Sequence, residues 1–205
     1  MSRLDSLLRQ ATLANQLTLL RLAAVPVLAL TLLEGKVGVA LVIYVAAAVT
    51  DALDGVAARR LGQQTALGAF LDPAADKLLM LVTYVTLALP DKPRPFPSFE
   101  LREHLPPWLA VLVVGRDLVI VMIALGLHLS YGESKFKPLR IGKVTTGACL
   151  ITGGLFLLAN VVEQVPSWLL RLAVWTTAAL LVLSCVGYLL RTTRVQRRRG
   201  PEEAE

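Results

Sequence analysis

The chain has 205 residues, of which 55% are hydrophobic and only 6% are aromatic, and its mean hydropathy is +0.62. This composition is typical of an integral membrane protein and argues against a soluble globular domain. A net charge of +6 would suggest a nucleic-acid partner in a soluble chain. Here the basic residues flank apolar runs, so we expect no nucleic acid and a membrane-lipid surface instead.

Six predominantly apolar runs are each long enough to cross about 30 Å of hydrocarbon, which takes about 17 to 25 helical residues. They cover residues 17–33, 37–57, 70–89, 107–129, 144–162 and 168–190. We therefore predict an all-α polytopic membrane protein with six transmembrane helices. The short link Glu34-Gly35-Lys36 makes the first two spans an antiparallel hairpin.

The segments outside these spans define the ends of the membrane domain. In residues 1–14, the apolar residues recur on one helical face, which suits an N-terminal interfacial amphipathic helix. A frayed tail is the alternative for this segment. Residues 15–191 form the six-helix membrane domain, and residues 192–205 form a basic and then acidic cytoplasmic tail.

The basic residues set the expected orientation. With a cytoplasmic N-terminus, the inner segments carry most of the arginines and lysines, including Arg59, Arg60 and those of residues 135–143 and 191–199. This asymmetry follows the positive-inside rule. It places both termini at the cytoplasmic face of the inner (cytoplasmic) membrane, together with the link between the second and third spans.

An acidic stretch interrupts the apolar pattern where the second span leads into the third. Asp51 and Asp54 are one helical turn apart, so their carboxylates can converge on a shared ion. Gly68, Asp72 and Asp76 follow at intervals of four and share one face of the third span. A charged residue at membrane depth costs about 2.5 to 3.5 kcal/mol, so these acids must be solvated, paired or bound to cations.

Four carboxylates on two adjacent helices permit a particular chemistry. Hard divalent cations such as Mg²⁺ or Mn²⁺ prefer oxygen ligands, and two such ions can bridge carboxylates to a diphosphate. A carboxylate that is not fully committed to metal can accept a proton from an attacking hydroxyl. One acid also has a structural interpretation, since Asp72 precedes Pro73 and could cap a helix that begins there. That interpretation leaves the other three acids unexplained.

Two polar elements outside this stretch have both a structural and a functional interpretation. Arg21 shares a helical stripe with Asn15 and Thr18, and either extends to lipid phosphate or reads a polar head group. Lys143 and Thr146 are one turn apart at the cytoplasmic start of the fifth span. They suit a phosphate-bearing acceptor, although basic residues at this depth also attract anionic lipid.

Gly115-Arg116-Asp117 interrupts the fourth span with two charges. Adjacent residues do not face each other on a helix, so we expect Arg116 and Asp117 to find separate partners on other spans or in a polar cavity. A functional site and a structural interhelical ion pair both fit this element.

The acidic stretch carries a family resemblance. Asp51-x2-Asp54-Gly55-x2-Ala58-Arg59-x8-Gly68-x3-Asp72-x3-Asp76 matches every fixed position of the signature of the CDP-alcohol phosphotransferases, and six spans agree with that family's architecture. The resemblance implies that Asp51, Asp54 and Asp72 ligate metal, while Asp76 shares in that site and acts as general base. It also implies a homodimer and a CDP pocket formed by Asp51, Asp54, Gly55, Ala58, Arg59 and Gly68.

Within the family, the sequence resembles two groups that use different acceptors. Residues 15–21, 72–77 and 142–146 look most like the bacterial phosphatidylglycerophosphate synthases, which use CDP-diacylglycerol and glycerol 3-phosphate. The Gly115-Arg116-Asp117 element is similar to the cardiolipin synthases, whose acceptor is phosphatidylglycerol. We therefore expect phosphatidyl transfer to glycerol 3-phosphate with release of CMP, and keep cardiolipin synthesis as the alternative. The residues expected to bind the acceptor or its phosphate are Arg21, Arg116, Lys143 and Thr146.

A cation-coupled membrane transporter is the non-enzyme alternative, because intramembrane acids also form cation sites. It predicts acids near the bilayer midplane on broken or repeated helices. The acids here cluster at one membrane face, and the sequence shows no internal repeat.

Overall fold

The structure, a computed structural model, describes residues 13–61, 66–90, 99–131 and 140–199. These residues form six α-helices and no strand, which confirms the all-helical fold class. The helices are α1 Leu13–Leu33, α2 Val37–Leu61, α3 Ala66–Leu87, α4 Pro107–Tyr131, α5 Arg140–Val161 and α6 Ser167–Arg199. The amphipathic helix predicted for residues 1–14 lies almost wholly outside the described residues.

Three of the described helices are long and apolar enough to cross a membrane: α1 over Gln16–Leu33, α5 over Ile141–Val161 and α6 over Ser167–Tyr188. The apolar part of α2, Val37–Asp51, is shorter. Large hydrophobic side chains are exposed along these helices, as they are where hydrocarbon replaces water as the surrounding medium. Length and composition therefore indicate a membrane protein.

Several helices extend beyond the predicted apolar spans. The third begins at Ala66 and the fifth at Arg140, while the sixth continues to Arg199. Bilayer thickness limits the apolar part of a helix, but the backbone hydrogen-bond ladder continues through polar residues outside the hydrocarbon. Because α3 begins at Ala66, Asp72 lies within the helix. The N-cap interpretation of Asp72 is therefore wrong.

The predicted hairpin between α1 and α2 is confirmed, and its turn has a defined hydrogen-bond pattern. The Lys36 amide donates to the Thr31 carbonyl (2.8 Å) and the Gly35 amide to the Leu32 carbonyl (3.0 Å). Gly35 has a φ of 73°, which is the left-handed conformation that this C-terminal motif requires and that glycine adopts without strain. The motif ends α1 and lets α2 start at Val37.

The chain divides into two compact units. The first comprises Met1–Leu105 and Gly153–Val165, and within it α1 packs against both α2 and α3. Its largest fully buried side chains are Leu28, Leu32, Leu79, Tyr84, Leu87, Phe99, Leu105 and Leu157.

The half-buried side-chain amide of Asn160 fixes the irregular segment before α4 in this first unit. The Asn160 Oδ1 atom accepts hydrogen bonds from the backbone amides of Arg102 (2.7 Å) and Glu103 (3.1 Å). Its Nδ2 donates to the carbonyls of Glu103 (2.9 Å) and Phe156 (2.8 Å). One side chain thus satisfies three backbone groups of Arg102 and Glu103 that lie outside any helix.

The second unit comprises Pro106–Thr152 and Pro166–Glu205. In it α4 packs against α6, and the rings of Trp108 and Trp175 lie 5.6 Å apart. Hydroxyl groups join α5 to α6: Thr145 donates to the Leu180 carbonyl (3.2 Å), and Thr152 shares a hydrogen bond with Thr177 (2.8 Å). Such hydroxyl contacts hold apolar helices together where hydrophobicity alone does not distinguish helix from lipid.

Candidate active site

Helices α2 and α3 carry the whole acidic signature. The last turns of α2 contain Asp51, Asp54, Gly55, Ala58 and Arg59. The first turns of α3 contain Gly68, Asp72 and Asp76. The described side chains include those of Asp51 and Asp76, at the two ends of the signature, and the other six fall outside them.

Asp51 and Asp76 meet at the guanidinium of Arg21. The Nη1 atom of Arg21 lies 2.7 Å from Asp51 Oδ1 and 3.2 Å from Asp76 Oδ1, and the second contact is also a hydrogen bond. Both carboxylates contact the same nitrogen atom, so they converge on one point from two helices. The acids predicted at the ends of the signature are therefore neighbours in space.

The three side chains differ sharply in exposure. The Arg21 side chain is 1% exposed, whereas those of Asp51 and Asp76 are each 37% exposed. The cation therefore lies beneath the two acids, and the carboxylates form the accessible surface. Thr18, one turn earlier on α1, is also buried. Arg21 thus does not extend to lipid phosphate, which was its structural interpretation.

An apolar groove runs along α1 and α2 beside this cluster. Its volume is about 210 Å³. It is lined by Leu17, Leu20, Arg21, Ala24, Ile43, Ala46, Ala47 and Thr50. Arg21 and Thr50, the residue before Asp51, are its polar members, so the groove joins an apolar surface to the acidic cluster.

The donor chemistry of this cluster suits a hard cation. Carboxylate oxygens from two helices point to one position, and oxygen is the ligand that Mg²⁺ and Mn²⁺ prefer. Among the described side chains, no group of three or more metal-binding residues is found. The described side chains include only Asp51 and Asp76 of the four signature acids.

The second unit contains a separate polar cluster around Arg116. Its Nη1 lies 2.7 Å from Asp117 Oδ1, and its Nη2 donates to Ser184 Oγ on α6 at 3.0 Å. Arg116 Nε is buried without a hydrogen-bond partner among the described residues. The expected partner of Arg116 on another span is found in Ser184. The expectation that Arg116 and Asp117 do not meet each other is wrong, because the long arginine side chain folds back to its neighbour.

Gly142 gives the Arg116 guanidinium its space at the start of α5. A methyl group on Gly142 would lie 3.1 Å from Tyr188 Oη and 3.3 Å from Arg116 Nη2. Sequence reasoning did not single out Ser184 or Tyr188. The only signal for Ser184 is a hydroxyl in an apolar helix, which is too common to identify a partner.

The other predicted acceptor residues also lie on α5. Lys143 is exposed, and Thr146 Oγ1 donates to the Gly142 carbonyl one turn earlier at 3.0 Å. Arg116, Lys143 and Thr146 thus belong to the second unit, while Arg21 belongs to the first with Asp51 and Asp76.

The fold and this cluster define a helical membrane protein with an acidic polar site. A model of the CDP-alcohol phosphatidyltransferase family matches residues 11–186. The chain belongs to the CDP-alcohol phosphatidyltransferase family, as the signature predicted.

Similar proteins fall into two groups by name. The chain is 34% identical over 200 residues to a probable phosphatidylglycerophosphate synthase of Mycobacterium tuberculosis, covering 91% of this chain and 84% of that protein. It is 28% identical over 188 residues to the CDP-diacylglycerol–glycerol-3-phosphate 3-phosphatidyltransferase of Bacillus subtilis, covering 84% and 90%. It is 29% identical over 193 residues to the human CMP-forming cardiolipin synthase, covering 86% of this chain. The chain spans 60% of the length of the human and rat cardiolipin synthases.

Proposed function

We propose that the protein transfers a phosphatidyl group from CDP-diacylglycerol to glycerol 3-phosphate and releases CMP. The observation that carries this proposal is the convergence of Asp51 and Asp76, from opposite ends of the family signature, at one half-exposed acidic surface. Family membership supports the reaction class. The similarity to the Mycobacterium and Bacillus proteins, each covered over most of its length, supports the acceptor.

Asp76 is the proposed general base. The acceptor hydroxyl gives its proton to the Asp76 carboxylate while its oxygen attacks the phosphorus that carries the diacylglycerol. A new phosphorus–oxygen bond forms, and the bond from that phosphorus to the bridging oxygen breaks, so CMP leaves with the bonding electrons. Asp76 is 37% exposed, so a hydroxyl can approach it, and Arg21 at 3.2 Å holds the carboxylate in place.

The proposed metal ligands are Asp51, Asp54, Asp72 and Asp76, with two Mg²⁺ or Mn²⁺ ions. Support comes from the convergence of Asp51 and Asp76 and from the helical spacing of the other two acids. When bound, the ions stabilise the charge that develops on the transferred phosphate. The chain's own contribution is to hold four oxygen donors on two helices whose positions α1 fixes.

The CDP pocket is proposed to include Gly55, Ala58, Arg59 and Gly68 together with Asp51 and Asp54. All lie on the turns of α2 and α3 that flank the acidic cluster. The glycines and the alanine leave room for a nucleotide to approach the backbone. The apolar groove beside Arg21 and Thr50 offers a hydrocarbon surface next to the same cluster.

Arg116, Lys143 and Thr146, all in the second unit, are the proposed acceptor-binding residues. Arg21, the fourth residue predicted from the sequence for this role, belongs to the first unit and is paired with Asp51 and Asp76. Lys143 is exposed at the start of α5, where an ammonium group can meet a phosphate. Arg116 is mostly buried and donates hydrogen bonds to Asp117 and Ser184. It would therefore contribute to phosphate binding by long-range electrostatic attraction and not by direct contact.

Cardiolipin synthesis from phosphatidylglycerol is the second candidate. The Gly115-Arg116-Asp117 element and the similarity to the human and rat cardiolipin synthases favour it. Coverage favours the first candidate, because the chain spans 84% of the Mycobacterium protein but 60% of the human one.

We place the protein in the inner membrane with six spanning helices, an N-terminal interfacial helix, and both termini and the active site at the cytoplasmic face. The apolar helices and the distribution of basic residues support this arrangement. The family resemblance supports a homodimer.

The deciding experiment supplies purified protein with CDP-diacylglycerol, Mg²⁺ or Mn²⁺, and one acceptor at a time. We expect CMP release with glycerol 3-phosphate and formation of phosphatidylglycerophosphate. Consumption of CDP-diacylglycerol with phosphatidylglycerol alone would establish the second candidate. Absence of CMP release with either acceptor would refute phosphatidyl transfer for both.

A further inference from the structure

One guanidinium nitrogen serves two acids on two different helices. Arg21 Nη1 contacts Asp51 on α2 at 2.7 Å and Asp76 on α3 at 3.2 Å. Arg21 itself belongs to α1, which packs against both of those helices. A single buried side chain thus links the three helices that form the acidic cluster.

The charges of the three side chains explain why Arg21 must lie between Asp51 and Asp76. Two carboxylates directed at one point repel each other, and the repulsion grows as the surroundings become less polar. A buried arginine is in turn costly unless oppositely charged groups surround it. The arginine therefore reduces the repulsion between the two carboxylates, and the carboxylates offset the cost of burying the arginine.

A phosphate-binding role for Arg21 would use the same guanidinium differently. Its Nη1 already contacts two carboxylates, and its side chain is 1% exposed. An acceptor phosphate would have to approach this guanidinium either past the acids, which repel it, or through the apolar groove that Arg21 lines, where a charged phosphate is costly to bury. The geometry favours a role toward the acids over a role toward the substrate.

We propose that Arg21 is a built-in counter-cation for Asp51 and Asp76, which holds the two acids together before a divalent ion binds and competes with that ion for their oxygens. The competition rests on the proposed metal site, whereas the pairing rests only on the two ion-pair contacts of Arg21. Arg21 is thus a positioning residue for the proposed base Asp76, and it sets how tightly the site takes up its ion.

Two opposite effects of one substitution test this role. In Arg21→Gln, the protein without divalent ion should unfold at a lower temperature than wild type, since the acids lose their counter-charge. Mn²⁺ should then raise the unfolding temperature more than it does in wild type and should bind more tightly. A charge at this range changes the affinity of a carboxylate site by about tenfold or more, which calorimetric titration with Mn²⁺ can measure.

Two further variants separate charge from packing. Arg171→Gln removes an exposed arginine at the start of α6 and should leave the Mn²⁺ response at the wild-type level. The double variant Arg21→Gln with Asp51→Asn removes one charge of each sign. It should unfold at a higher temperature without divalent ion than Arg21→Gln alone, because the repulsion between the Asp51 and Asp76 carboxylates is removed.

Three results would overturn the proposal. The first is an Arg21→Gln variant with the wild-type Mn²⁺ affinity and the wild-type response of its unfolding temperature. The second is a double variant that is less stable than Arg21→Gln, which would show that shape and not charge matters. The third is a variant whose only change is a raised KM for the acceptor. Failure of the proposed function is a different result: it would appear as the absence of CMP release by the wild-type protein.

Discussion

Gly153 on α5 lies against two buried tyrosines, and this contact gives a prediction whose magnitude follows from the structure. A methyl group on Gly153 would lie 2.9 Å from Tyr44 Oη and 3.3 Å from Tyr84 Cε2. The tyrosines are 2% and 0% exposed, so neither ring can move into open space. We expect Gly153→Ala to cost about 1 to 3 kcal/mol in overpacking, partly offset by the alanine's better helix propensity, about 0.5 to 1 kcal/mol.

Gly147 on the same helix is the matched control. No described atom lies within 4 Å of a methyl group built there, apart from its own helix and chain neighbours. Gly147→Ala should therefore only gain the helix-propensity term. The difference in free energy of unfolding between the two variants isolates the packing cost, and we expect it to be about 1 to 3 kcal/mol.

Reversible unfolding in detergent, followed by circular dichroism, measures this difference. CMP release is a second measurement, because Tyr44 precedes Asp51 on α2 by two helical turns. A displaced Tyr44 should lower turnover in Gly153→Ala and leave Gly147→Ala at the wild-type rate. Equal stability of the two variants would refute the packing argument, since both would then respond only to helix propensity.

Three other predictions concern the site and its support. Asp76→Asn should reduce CMP release by about 10² to 10⁴-fold, the usual contribution of a general base, while the protein still inserts and assembles; normal turnover would exclude Asp76 as the base. Exhaustive chelation should abolish CMP release, and added Mg²⁺ or Mn²⁺ should restore it; full activity after chelation would contradict the metal assignment. Asn160→Ala leaves the amides of Arg102 and Glu103 without their acceptor and should cost about 1 to 3 kcal/mol in the same unfolding assay. Asn160→Asp keeps the acceptor but turns the Nδ2 donor into an oxygen that faces the Glu103 and Phe156 carbonyls, so it should also be destabilising; wild-type stability of both variants would contradict this role of Asn160.

The helices could be predicted from the sequence because apolar runs and breakers mark them locally. The link at Glu34-Gly35-Lys36 is an example, since glycine at a helix C-terminus predicts the turn that the structure contains. The starts of α3 and α5 and the end of α6 were harder to predict. A span estimated from apolar residues stops where the hydrocarbon stops, but the helix itself does not.

The partners of the charged residues could not be predicted in the same way. Helical spacing shows that Asp51 and Asp54 share a face, but it does not show which neighbouring helix that face meets. The contact of Arg21 with Asp51 and Asp76 depends on how α1 packs against α2 and α3. The Arg116 contact with Asp117 was mispredicted for a related reason. The rule for adjacent residues describes where side chains leave the helix, not how far a flexible arginine can fold back.

The balance of charges around Arg21 connects the resident cation to the proposed ions. Arg21 carries one positive charge and contacts two carboxylates, so the described cluster retains an excess of negative charge. Asp54 and Asp72 add two more acids within one turn of Asp51 and Asp76 along their helices. A CDP-linked lipid brings a diphosphate, which these acids repel. Arg21 alone can therefore hold Asp51 and Asp76 together, but it cannot make the site attract the negatively charged donor. Divalent ions would reverse the sign of the field, so chelation should weaken the binding of CDP-diacylglycerol as well as its turnover.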